Sequence, residues 1–168
     1  MILVGGGSRS GKTGFALAAA RKRGTRLAYV AAAELLDDEM KQRAGAHRME
    51  RGTEFTTFEE PLEIGALLSR RGAEFDAMVV DCVTLWISNL LHAGREDLKA
   101  EGSALAGAAQ ACAAEVILVT NEVGCGIVPE NELARRFRDE AGWMNQTLAA
   151  RAAEVYWMVF GCALKVKG

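Results

Sequence analysis

Residues 5–13 read GGGSRSGKT and follow the apolar run Met1-Ile2-Leu3-Val4, and no other stretch restricts the fold of this chain so tightly. Gly6, four residues and then Gly11-Lys12-Thr13 have the spacing of a P-loop, in which glycines let backbone N–H groups converge on phosphate oxygens at a helix N-terminus. On this reading Gly6, Gly7, Ser8, Arg9, Ser10 and Gly11 form the cradle. Lys12 adds a mobile positive charge, and Thr13 places its hydroxyl on Mg²⁺. The context agrees, because a short β-type run precedes the loop and Gly14-Phe15-Ala16-Leu17-Ala18-Ala19-Ala20 follows it as a helix. A flexible Gly/Ser turn would account for the glycines but not for the GKT ending.

A strand–P-loop–helix opening calls for a parallel sheet, and the rest of the chain supplies one. Apolar strand candidates lie at 2–4, 27–31, 77–80, 116–120 and 155–160, with a further one at 54–58. Helical stretches at 12–22, 37–50, 61–71, 84–92, 103–113 and 130–152 alternate with them, the βαβ pattern of a mostly parallel α/β sheet covered on both faces. With 168 residues, half of them hydrophobic, the chain is expected to bury one core as a single catalytic domain over residues 1–168.

The net charge of −2 and a pI near 5.8 offer no general attraction for nucleic acid or an anionic membrane, so phosphate affinity must be local. No apolar run approaches the roughly 20 residues that span a bilayer. Met1 leads straight into a strand, leaving no room for a signal or transit peptide ahead of it. Cys82, Cys112, Cys125 and Cys162 form no CxxC pair and sit beside apolar or glycine residues, which reads as reduced core thiols of a cytoplasmic protein.

Ligands of such sheets bind outside the carboxyl ends of the strands, so the residues there are the candidates for chemistry. The run Ala77-Met78-Val79-Val80 ends in Asp81, an acid placed to hold the Mg²⁺ water shell, or else to cap the helix starting near Thr84. After the strand ending at Thr120 comes Asn121-Glu122-Val123-Gly124, where Glu122 either orients a nucleophile or metal, or pairs with Arg135, Arg136 or Arg138. His92 reads as structural, at a helix end before Gly94. His47 differs: helical spacing puts Arg43 and Arg51 on its face at i−4 and i+4, and Glu50 at i+3. Those cations disfavour imidazolium, leave the ring neutral and nucleophilic, and attract phosphate. By charge pattern alone, a solvated basic helix face explains the segment as well.

Taken together, GGGSRSGKT, Leu35-Leu36-Asp37-Asp38-Glu39-Met40 with Arg43 and His47, the run Asp81-Cys82-Val83-Thr84-Leu85-Trp86, and TNEVGCGIVPENELARRFRDEAGWMNQ resemble the bifunctional adenosylcobinamide kinase / adenosylcobinamide-phosphate guanylyltransferase family of cobalamin biosynthesis. The likeness runs from end to end. It implies a RecA-like P-loop domain, commonly a homotrimer, whose substrates are ATP, GTP, adenosylcobinamide and adenosylcobinamide phosphate. One activity phosphorylates the aminopropanol hydroxyl of adenosylcobinamide with ATP or GTP. The other transfers GMP from GTP to that phosphate through a histidine, which corresponds to His47 here. By the same resemblance, nucleotide contacts map onto Gly6 to Thr13, onto Ala31, Ala32 and Ala33, onto Arg48, Met49, Glu50 and Arg51, and onto Glu59 and Asp81. Thr13 and Asp81 are read at the metal, and no sequence signal selects the kinase base, for which Glu122 and Asp81 are the candidates.

Two departures accompany the likeness. Ala32 and Ala33 stand where many members carry hydroxyl residues, so contacts there are expected from backbone, and Phe55 stands at an aromatic position usually held by Trp. A monofunctional P-loop small-molecule kinase would explain the cradle and Asp81 but leave His47 unused. A GTPase switch would need an NKxD motif after its DxxG; Asp139-Glu140-Ala141-Gly142 has no such sequel.

Overall fold

The computed structural model describes residues 1–33 and 52–168. The predicted helix over 37–50, and with it Arg43, His47, Arg48, Met49, Glu50 and Arg51, lies outside them. Strands β1 (Ile2–Gly6), β2 (Leu27–Ala31), β3 (Phe55–Glu59), β4 (Ala77–Asp81), β5 (Glu115–Val119), β6 (Glu154–Val159) and β7 (Cys162–Lys167) form one sheet in the order β3-β2-β4-β5-β1-β6-β7. Every pairing is parallel except the antiparallel β6–β7 hairpin. The helices are α1 (Lys12–Arg21), α2 (Ile64–Arg71), α3 (Val83–His92), α4 (Leu98–Ala111) and α5 (Glu132–Arg151).

Side chains alternate between the two faces of a strand, and here both faces are apolar, so each central strand reads as an unbroken hydrophobic run. On one face Ile2, Val4, Tyr29, Val79, Ile117 and Val119 pack with Ala16, Leu17 and Ala20 of α1. On the other, Leu3, Val30, Met78, Val80, Val116 and Leu118 meet Leu68 of α2, Trp86 and Ile87 of α3, Leu105 of α4 and Met144 and Leu148 of α5. The predicted α/β architecture, with helices on both faces of a mostly parallel sheet, is the observed one.

Three details differ from the sequence reading. The hairpin strand β7 carries no predicted element, and all its residues are exposed. Helix α4 begins five residues before the predicted 103, because Asp97 caps it by accepting the N–H of Ala100 at 2.9 Å. The thiols are all free, as expected, but only Cys82 is buried; Cys112 is half-buried, and Cys125 and Cys162 are exposed, since the glycine loop and the edge strand that carry them are not covered by the core.

Candidate functional site

The C-terminal ends of β1 and β4 meet beside the loop at residues 7–11, where Thr13 bonds Asp81. Gly6 has φ 154°, and a Cβ there would stand 2.8 Å from the carbonyl oxygen of Met158, so the tight exit from β1 admits only glycine. Gly11 (φ 90°) caps α1 without a side chain, and no acidic residue stands in the helix's first turn. The N–H groups of the first turn and the positive end of the helix dipole therefore face the loop with no acidic residue of the helix's own first turn to neutralise them. Such an arrangement suits an anion.

Lys12 is 7% exposed, and its Nζ donates to Gly7 O at 2.6 Å and to Ser10 Oγ at 3.4 Å. Burial lowers its pKa, and the charge of Asp81 pulls it partly back. Such a cation gains from an incoming anion. Beside it, Thr13 Oγ1 donates to Asp81 Oδ2 at 2.7 Å, and Tyr29 donates to the same oxygen at 3.0 Å. Asp81 thus sits at the mouth of the cradle and does not cap α3, which has no side-chain cap. Tyr29 escaped the sequence reading because an aromatic inside an apolar strand looks like core; only the β2–β4 register, which sets it opposite Val79, brings its hydroxyl to Asp81.

Register brings three more predicted positions together. Ala31 pairs with Glu59 on β3 and with Asp81 on β4, so the three form one row across the ends of the strands, and Glu59 is exposed there. Ala32 is buried; its N–H donates to Asp81 O at 3.3 Å and its carbonyl accepts from Asn89 Nδ2 at 2.7 Å. Both backbone groups of Ala32 are therefore engaged within the protein, and Ala33 follows half-buried. Phe55, in contrast, is a core residue, 6% exposed with the Arg21 guanidinium over its ring.

The loop after β5 closes the site from behind. Glu122 N donates to Gly6 O at 3.1 Å, tying the loop to the cradle. Of the two readings of Glu122, the pairing with an arginine is not what forms: its carboxylate accepts the N–H of Gly124, while Arg138 donates to Gly124 O at 3.0 Å and Arg135 to Pro129 O at 3.1 Å. A short turn in which the carboxylate bonds two residues ahead satisfies Glu122 locally. Behind it, Thr120 Oγ1 donates to Asn145 Oδ1 at 2.7 Å and Asn121 N to Thr84 Oγ1 at 2.7 Å. His92, as expected, is structural: its Nδ1 lies 2.7 Å from Ser88 O at the end of α3.

The sequence model of the cobinamide kinase / cobinamide phosphate guanyltransferase family matches residues 2–166. The chain belongs to this family. It is 42% identical over 181 residues to the bifunctional adenosylcobalamin biosynthesis protein CobU of Salmonella typhimurium, covering 99% of both chains. To the corresponding CobU of Escherichia coli it is 41% identical, again over 99% of each. With the bifunctional adenosylcobalamin biosynthesis protein CobP of Pseudomonas aeruginosa it shares 40% identity over 167 residues, 99% of this chain and 96% of that one. The chain is thus a transferase of cobalamin biosynthesis with cobinamide kinase and cobinamide phosphate guanylyltransferase activity.

Proposed function

We propose that this chain carries out two successive transfers on adenosylcobinamide. In the first, ATP or GTP phosphorylates its aminopropanol hydroxyl; in the second, GMP from GTP is passed to that phosphate through an adduct on His47. The observation that carries the reading is the Thr13–Asp81 hydrogen bond of 2.7 Å beside the buried Lys12, which assembles the phosphate-handling groups at the end of β4.

Each group's task follows from its position. The amides of the loop and of the first turn of α1 hold phosphate oxygens, and Lys12 exchanges its bond to Gly7 O for one to the phosphoryl oxygens where charge develops. Thr13 and Asp81 offer hard oxygen donors of the kind that suits Mg²⁺ and would hold it, where it would supply charge neutralisation on the phosphate oxygens. Ala31, Ala33 and Glu59, with Arg48, Met49, Glu50 and Arg51, are assigned to nucleotide contact. In the guanylyl step a neutral nitrogen of His47 forms a bond to the α-phosphorus while the bond to the β-phosphate oxygen breaks and pyrophosphate departs. A phosphate oxygen of the corrinoid then attacks the same phosphorus and displaces the histidine.

The enzyme is assigned to the cytoplasm as a homotrimer of single-domain subunits. One continuous sheet with a core on each face supports the single domain. Apolar side chains left uncovered, Ile127 at 97% exposure and Leu133 at 55%, support assembly.

The test is incubation with GTP labelled at the α-phosphate. Wild-type protein is expected to retain label in a bond stable to alkali and labile to acid, as a phosphoramidate is. His47→Ala is expected to take up no label and form no adenosylcobinamide-GDP, yet still to phosphorylate adenosylcobinamide. Label that persists in His47→Ala overturns the assignment of the nucleophile.

A further inference from the structure

The turn joining β6 to β7 carries an aromatic side chain that neither the fold nor the assignments above employ. Val159 and Cys162 are paired partners, so Phe160 and Gly161 form a two-residue hairpin turn. Phe160 has φ 51° and Gly161 φ 81°. Positive φ at both central positions is the type I′ arrangement, which selects Asn, Asp or Gly at the first position. Phenylalanine is a poor choice for that backbone, and the ring gains nothing from packing, being 98% exposed. A strained turn residue whose side chain touches nothing points to a use outside the fold.

The place of the turn suggests that use. β6 runs parallel to β1 with Gly6 opposite Met158, which brings the hairpin to the same end of the sheet as the P-loop. A Cβ on Gly11 would stand 3.4 Å from the Cα of Gly161 and 3.9 Å from Cε of Met158. The cradle therefore has two unlike flanks. Towards β4 lie Thr13, Asp81 and the hydroxyl of Tyr29, all polar. Towards β6 lie Gly161, the methyl of Met158 and the ring of Phe160. A nucleotide is just as two-ended, with charged phosphates at one end and a flat π-surface at the other.

We propose that Phe160 is the platform on which the nucleobase of the phosphoryl donor stacks while its triphosphate occupies the cradle, the terminal phosphates lying towards Asp81. The inference rests on the P-loop reading of the site and adds to it the seat of the base. Stacking on an aromatic face is tolerant of base identity, since every base presents a π-face, so the platform suits a kinase step that takes either purine nucleotide. It also distinguishes the two nucleotide orientations. The positions assigned to nucleotide contact at Ala31, Ala33 and Glu59 lie on β2, just after it and on β3, on the other side of β1 from Phe160. A donor seated on Phe160 presents its γ-phosphorus to that side, whereas a GTP whose base lies over β2 and β3 presents its α-phosphorus there.

The experiment measures binding of a non-hydrolysable ATP analogue and of inorganic tripolyphosphate to the full chain by calorimetry. Phe160→Asn is the decisive variant, because asparagine suits the turn and removes only the ring. The expected result is about a tenfold loss of affinity for the analogue with tripolyphosphate affinity unchanged, a matching rise in kinase KM with little change in kcat, and recovery of binding in Phe160→Trp. Equal affinity of wild type and Phe160→Asn for the analogue overturns the platform alone. Parallel loss of both ligands also overturns it, by showing that the turn shapes the cradle. So does loss of oligomeric state in Phe160→Asn by light scattering, which would assign the ring to a second copy of this chain. Wild-type protein that binds neither ligand overturns the P-loop reading itself.

Discussion

Two buried residues at neighbouring points of the site carry opposite electrostatic logic. Lys12 keeps a charge that burial opposes, because its task needs it. Cys82 follows Asp81 directly and is 6% exposed; burial first, then the adjacent carboxylate, pushes its thiol from 9.0 up to about 11. A thiol that is harder to ionise folded than unfolded stabilises the fold fully below pH 9, and the contribution is lost as pH rises towards 11. The size is roughly 2–3 kcal/mol, from about 1.4 kcal/mol per unit. The difference between wild type and Cys82→Ala isolates it from other alkaline titrations: the urea midpoint of the wild type should fall more steeply between pH 9 and 11. Parallel curves would mean that the thiol meets the same surroundings folded and unfolded.

At the scale of elements, a polar knot inside an apolar interface holds the glycine loop in place. Thr120, 2% exposed at the end of β5, donates to Asn145 of α5 at 2.7 Å and lies 3.4 Å from the hydroxyl of Thr84 on α3. Asn145 Nδ2 in turn reaches Asn121 O at 3.4 Å, and the Asn121 amide bonds Thr84. Thr120→Val keeps the shape but strands the Asn145 oxygen, a cost of about 1–3 kcal/mol in unfolding free energy. Asn145→Leu should cost a similar amount, and the double variant less than the sum, because both remove one shared bond. Strict additivity in urea denaturation would show that the groups do not act as a unit.

The same elements show what the sequence makes legible. Central strands such as Ala77–Asp81 declare themselves because both faces are buried, giving continuous apolar runs. Cys162–Lys167 does not, because an exposed edge strand paired on one side needs no such run. Gly102 and Ser103 read as a helix boundary, yet Gly102 lies within α4, where a Cβ would meet the Met144 sulfur of α5 at 2.5 Å. It is a packing glycine, and only the partner helix reveals that. The cradle was legible because its residues are contiguous. Tyr29 and the Thr84–Thr120–Asn145 knot were not, because their partners come from separate elements and meet only through strand register or through helices packed on the sheet.

Across the whole molecule, the parallel sheet sets every assigned group within the described residues at the C-terminal ends of its strands, and the reading proposed above has both reactions share a single anion site there. A kinase step places charge on a γ-phosphoryl group; guanylyl transfer places it on departing pyrophosphate. With one shared cradle, as proposed, both would draw on the cation of Lys12, although their reacting phosphorus atoms differ. Lys12→Met tests this with the fold held constant, since methionine keeps much of the stem and removes a charge that burial penalises. The melting temperature is expected to stay level or rise by a few degrees, each kcal/mol being worth about 2–4 °C in a chain of this size. Both activities should fall together, by 10²-fold or more on the order seen when one charge-stabilising donor is lost. If kinase activity disappeared while guanylyl transfer stayed near wild type, the pyrophosphate would have to leave from a second anion site, and one cradle could not serve both transfers.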